Sequence, residues 1–198
     1  AMDGLERLEA VVDTLIVIPN DKLLELAPEL PLHTAFKIAD EILTNAVKGI
    51  TELVTVAGLV NLDFADVKAI MADGGVSLIG MGESDSTNRA AESVEKAVNN
   101  PLLDVDISNA TGALVHIVGG PDMSLEECKV IIETVGNQLS PYAKLIWGAQ
   151  ISPDMEKSIR VLLIVTGVKS SQILGQGETV ESMKHREIEE ELGIEFFE

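Results

Sequence analysis

"LHTAFKIADEILTNAVKGITELVTVAGLVNLDFADV" (residues 32–67) holds the longest periodic run in the chain and then breaks it abruptly. Ala35, Ala39, Ile42, Ala46, Ile50, Leu53 and Ala57 recur at three and four residues, the period of one face of an α-helix. Phe36, Leu43, Val47 and Val54 widen that stripe. Pro31 suits a first helical turn and Gly58 the position after the last. The spacing predicts a helix over 32–57, on the order of 35–40 Å long. So wide an apolar surface implies burial on more than one side, as for a helix lying between two layers or two domains. Beyond Gly58, a shorter helix is predicted over 63–72. Asp63 fits its N-cap and Asp66 its first turn, where the helix dipole favours negative charge. The same two carboxylates, with Asn61 as a third polar group, could instead polarise a water or hold a hydrated cation. Spacing alone favours the caps.

Outward from this stretch, short elements alternate. Residues 4–11 fit a short helix, and "DTLIVIPN" (13–20) is an apolar β-type run ended by Pro19-Asn20. "DKLLELAPELP" (21–31) reads as a helical turn broken by two prolines. Strands are predicted at 76–82, 112–120, 143–151 and 158–168, and helices at 86–100 and 124–139. Ser124 and Glu127 form a capping-box pattern at the start of the second helix. The implied architecture is α/β, of α+β-like type: a long central helix plus a four-stranded mixed sheet with helices packed on one face. The last two strands lie close enough for a hairpin. By these elements the chain divides into residues 1–31, a long helix at 32–58, a sheet segment at 59–168, and a linker and tail at 169–198. Strand 13–18 comes almost at once, and a strand needs neighbours, so the chain reads as beginning partway through a fold.

With 198 residues, 46% of them hydrophobic, the chain can bury a real core. Asp and Glu number 33 against 14 Lys and Arg, a formal charge of −19. That balance argues against nucleic-acid binding and against an anionic membrane surface, both of which favour basic patches. The single cysteine, Cys128, excludes a disulfide framework and points to a reducing cytoplasm. It falls on an apolar helical stripe with Leu125, Ile131, Ile132 and Val135, and reads as core. No run approaches the roughly 18 apolar residues of a membrane span, and no signal peptide is visible.

Other candidate chemistry is thin. "GMGESDS" (80–86) lies where glycines could admit a phosphate, but it lacks a full dinucleotide fingerprint and carries Glu83 and Asp85; a tight turn and cap is the better reading. "VGGPDMS" (118–124) likewise reads as turn and cap. His33, His116 and His185 have no metal-ligand spacing, and no metal site is predicted. His116, alternating within a strand, reads as a surface or satisfied histidine. The acidic run 187–191 is a solvated helix face.

Several stretches together resemble one family. "DTLIVIPND", the "AFKIADEILTNAVKGITELV" helix leading into "GLVNLDFADV", "GESDSTNRAAESVEKAVNNPLLD", "GGPDMSLEE", "LIWGAQI" and "IRVLLIVTGV" are similar to FtsZ, the tubulin-like cell-division GTPase, over about residues 1–175. The resemblance implies the second half of that molecule, with the family's glycine-rich phosphate loop upstream: residues 1–31 a remnant of the GTPase domain (its last strand and a short helix), 32–58 the central helix, and 59–168 the C-terminal sheet domain with the catalytic loop. It implies that the loop after the long helix enters the GTP pocket of the next protomer, which places Asn61, Asp63 and Asp66 in catalytic positions, with Leu62 and Phe64 packed. Asn20, Phe36 and Asp40 match guanine contacts: Phe36 stacking on the ring and Asp40 accepting from its N–H groups. It further implies GTP with an assisting Mg or K ion, self-association into protofilaments, and a cytoplasmic location at the division site. The tail, with Phe196 and Phe197 after an acidic helix, resembles a docking peptide for a membrane tether or division regulator. For this chain alone, the resemblance implies essentially no GTPase activity, and as an alternative a non-catalytic module that caps filaments.

Overall fold

"IRVLLIVT" (159–166) is apolar at nearly every position, as a strand covered on both faces must be. In a computed structural model that describes residues 2–18, 32–56, 58–103 and 107–168, this segment is the middle of a sheet. The elements run α1 (Met2–Glu9), β1 (Thr14–Ile16), α2 (Leu32–Thr55), α3 (Phe64–Met71), β2 (Gly75–Ser84), α4 (Arg89–Val98), β3 (Gly112–Gly119), α5 (Leu125–Gly136), β4 (Lys144–Ile151) and β5 (Ile159–Thr166). The sheet has five strands in the order β1-β2-β5-β3-β4. β5 is antiparallel to both its neighbours, whereas β1 pairs parallel with β2 and β3 parallel with β4. The fold is a mixed α/β sandwich.

Three expectations change. The sheet gains a fifth strand, because β1 finds a neighbour in β2 through Thr14↔Gly75 and Leu15↔Val76. β4 and β5 form no hairpin: β3 lies between them. β4 is only half-buried along most of its length and suits the edge, whereas β5 is buried at all but one position and needs the centre. Helices also cover both faces. Ile159, Val161, Leu163 and Val165 of β5 point to the α4 and α5 side, and Leu162 and Ile164 to the α2 side.

Glycine sets the closeness of α4 to the sheet. A Cβ on Gly80 would meet the Ala97 carbonyl oxygen at 2.1 Å, and one on Gly82 would meet the Ser93 carbonyl oxygen at 2.1 Å. The "GMGES" segment is therefore strand, with helix backbone resting on it, rather than a turn that could admit a phosphate.

The long helix α2 has 24 residues, about 36 Å at 1.5 Å per residue. It lays Ala46, Leu53 and, in part, Ile42 and Ile50 on the sheet. Its other face is bare among the described residues: Phe36, Leu43 and Val47 are 49%, 53% and 58% exposed. The expected burial on a second side is not provided by these elements.

Candidate functional site

The segment that follows α2 is fixed before it reaches its carboxylates. Leu59 and Val60 donate their N–H groups to the Ala149 carbonyl at 2.8 and 3.2 Å, and the Ala149 N–H donates to the Val60 carbonyl at 3.1 Å. This one-residue antiparallel bridge lies on the outer edge of β4. Asn61 then turns back, its Oδ1 accepting from the Gly58 N–H at 2.6 Å. Leu62 tucks against the cluster beneath α2. Val67 and Ile70, both buried, anchor α3.

Asp63 is the N-cap of α3, and Asp66 completes a reciprocal capping box. The Asp66 N–H donates to Asp63 Oδ1 at 2.9 Å, and the Asp63 N–H donates to Asp66 Oδ2 at 3.2 Å. Each carboxylate spends one oxygen in this way. The other oxygens, Oδ2 of Asp63 and Oδ1 of Asp66, take no part in the box. Capping therefore fixes where the two carboxylates sit and leaves an oxygen on each for another partner. Phe64 does not pack as expected: it is 73% exposed, and Leu59 is 63% exposed. The loop thus presents two apolar side chains beside two negative ones.

Phe36 and Asp40 lie one turn apart on α2, both exposed. That accessibility suits a planar base and its N–H donors. They are near the start of the helix and the loop follows its end. From Asp40 to Thr55 the helix rises about 22 Å, and from Phe36 about 28 Å, at 1.5 Å per residue. That rise runs along the helix axis from the pair to the helix end, before the loop begins. Asn20 and the tail residues Phe196 and Phe197 lie outside the described residues. Among the described residues, no three His, Cys, Asp or Glu side chains converge as metal ligands.

One feature escaped the reading of the sequence, and a second, His116, loses the surface alternative given for it. Arg89 is buried at the start of α4 and clamps two acids. Its Nε and Nη2 donate to Glu127 at 2.6 and 3.1 Å, and its Nη1 donates to Asp122 Oδ2 at 2.6 Å. The Glu127 bond is the main reason the guanidinium is held even more firmly protonated than usual, and the Arg89 bond holds both carboxyls below their ordinary range. A cation in the first turn of a helix opposes the dipole, which is the signal that it needed acidic partners. His116 is buried, 3% exposed, on the face that α2 covers, at the floor of a cleft of about 320 Å³ that Asn45, Glu52 and Arg160 also line. Burial pushes its pKa down, with Glu52 opposing. Its flanking residues Leu114 and Val118, on the same face of β3, are apolar, and that was the available signal.

Residues 75–169 match the model of the FtsZ family, C-terminal domain. The chain is 61% identical over 176 residues to "Cell division protein FtsZ 1" of Pyrococcus furiosus, a match covering 89% of this chain and 47% of that relative. An empty FtsZ dimer structure from M. jannaschii superposes with a TM-score of 0.82 at 57% identity, covering 85% of this chain and 49% of that one. CetZ1 from Haloferax volcanii, solved as a GDP-bound monomer, shares the fold at 20% identity, with a TM-score of 0.72 over 94% of this chain and 55% of that one. The chain spans about half the length of the curated relatives it matches.

Proposed function

Because the chain belongs to the FtsZ family of cell-division proteins, we propose that it supplies the catalytic loop of a polymerising GTPase to GTP held by an adjacent protomer. One observation carries this reading. The guanine-type pair Phe36 and Asp40 lies in the first half of a 24-residue helix, and the loop that carries the carboxylates leaves from its other end. If both act on GTP, they act on different GTP molecules, one at each end of the subunit. That is the arrangement of a head-to-tail polymer with shared active sites.

The chemistry required of the loop is modest. Phosphoryl transfer is catalysed mainly by positioning and by management of charge. Asp63 Oδ2 and Asp66 Oδ1 accept hydrogen bonds from the attacking water and turn its lone pair toward the γ-phosphate. Being negative, they cannot themselves stabilise the phosphate, so a cation, Mg or K, held mainly by the neighbouring protomer is assigned that part. Asn61 adds a polar side chain that does not repel the phosphate. Leu59 and Phe64, exposed beside the carboxylates, exclude water once seated against the neighbour.

Alone, the chain turns over little or no GTP in this account. The test is complementation. A full-length relative with its own loop aspartates changed to alanine is loaded with GTP and mixed with this chain. GTP hydrolysis that rises with added chain is the expected result; no hydrolysis above that of the relative alone sinks the proposal. Action in the cytoplasm at the division site, protofilament assembly, and docking of a tether or regulator by Phe196 and Phe197 belong to the same proposal.

A second reading is favoured by the bare apolar pair at the loop. A chain that seats its loop without offering a nucleotide pocket behind it caps a filament. Light scattering of assembling full-length relative, with the chain added well below equimolar, then shows shortened or suppressed assembly. Unchanged assembly at equimolar chain counts against capping.

A further inference from the structure

We infer that the outer edge of β4 sets the position of the loop carboxylates, with Gly58 and Gly148 as positioning residues; this rests on the in-trans reading above. Val60, bridged to Ala149, comes three residues before Asp63, so any shift of the bridge is passed to the capping box. Two glycines permit the close approach. A Cβ on Gly58 would lie 2.3 Å from the Ala149 carbonyl oxygen, a backbone atom that cannot yield without breaking the bridge. A Cβ on Gly148 would lie 2.7 Å from Leu53 Cδ2, 3.3 Å from the Val60 carbonyl oxygen and 3.5 Å from Leu62 Cγ. Leu53 of α2 and Leu62 of the loop therefore fill the space that Gly148 leaves open. Strand edge, helix end and loop meet at this point, and the carboxylates are held relative to the sheet. Neither glycine bears a side chain that could touch the nucleotide. A misplacement of about 1 Å far from the chemistry can cost on the order of a hundredfold in rate.

The experiment uses the unmodified chain, Gly58→Ala, Gly148→Ala, and Gly148→Ala combined with Leu53→Val. Each is mixed with the GTP-loaded, loop-deficient full-length relative. Gly58→Ala is expected to lower kcat about a hundredfold and Gly148→Ala about tenfold. The half-saturating GTP concentration stays unchanged, because the other protomer holds the nucleotide. Leu53→Val removes the δ-carbons that the new methyl group meets, and restores most of the lost kcat. Amide exchange follows the same order: Leu59, Val60 and Ala149 exchange faster in the single glycine variants and slow again in the double variant, while Val115 and Ile117 of β3 stay protected. If Gly58→Ala loses β3 protection as well, it has unfolded, and the Gly148→Ala pair decides. Equal turnover by all variants overturns the positioning role and leaves the in-trans reading standing. No turnover with the unmodified chain overturns the in-trans reading and the positioning role with it.

Discussion

Arg89 shows how much of this fold hangs on single side chains. Its fork joins the start of α4 to the start of α5 and to the turn before it. Arg89→Ala leaves Glu127 half-buried without its cation, and the expected loss is about 3 kcal/mol, the low end for a broken buried pair because Asp122 and Glu127 still reach water. Urea denaturation reads it directly; Arg89→Lys, with the charge but not the fork, falls in between. The pH dependence has a fixed sign. Both carboxyls are depressed below their ordinary values of 3.8 and 4.5, so the unfolded chain takes up protons first. The clamp's contribution is complete above those values and is lost as pH falls through the lower folded ones. In Arg89→Ala this acid limb flattens. His116 works in another window. Its folded pKa lies below the ordinary 6.5, so its contribution is complete above pH 6.5 and declines as pH drops from there toward the lowered value. Denaturation midpoints measured between about pH 7 and pH 5 fall for the unmodified chain and hold steadier for His116→Asn.

Among the elements, the contact of α4 with β2 is the most sensitive to volume. Gly82→Ala drives a methyl group into the Ser93 carbonyl and the Ala97 nitrogen, both backbone, and a cost of about 3 kcal/mol or more is expected. Gly136→Ala, whose new carbon would meet only Leu145 Cδ2 at 3.7 Å, is expected to raise stability by up to about 1 kcal/mol through helix propensity. Thermal unfolding of the two variants should move in opposite directions. These elements were legible to different degrees. The helix of "LHTAFKIADEILTNAVKGITELVT", the capping box at Ser124 and the start of α3 at Asp63 follow from local spacing, and they are found there. Strand order did not follow, because nothing local to "AKLIWGAQI" or "SIRVLLIVTGV" says that β3 separates them. The cue was in the faces: β5 is apolar on both, β4 is not. Gly80 and Gly82 were misread for a related reason. A glycine that makes room for a helix packed from elsewhere in the chain looks, in sequence, like a glycine that makes a turn.

For the whole molecule, α2 is the element that matters most. It lays one stripe on the sheet and leaves Phe36, Leu43 and Val47 bare among the described residues, an apolar face of the kind that marks an interaction surface. The chain is expected to bind a hydrophobic dye or to self-associate with rising concentration in sedimentation; a monodisperse monomer without dye binding contradicts that. The catalytic role proposed for the loop rests on resemblance, since Asp63 and Asp66 by spacing alone are helix caps, and caps they are. Their two roles can be separated. Asparagine caps a helix about as well as aspartate but lacks the charge. The most direct measurement is therefore GTP turnover by the loop-deficient relative with added Asp63→Asn or Asp66→Asn chain, at matched thermal stability. The account predicts stability within about 1 kcal/mol of the unmodified chain and turnover reduced on the order of a hundredfold or more. Unchanged turnover in both variants would show that these carboxylates only start a helix.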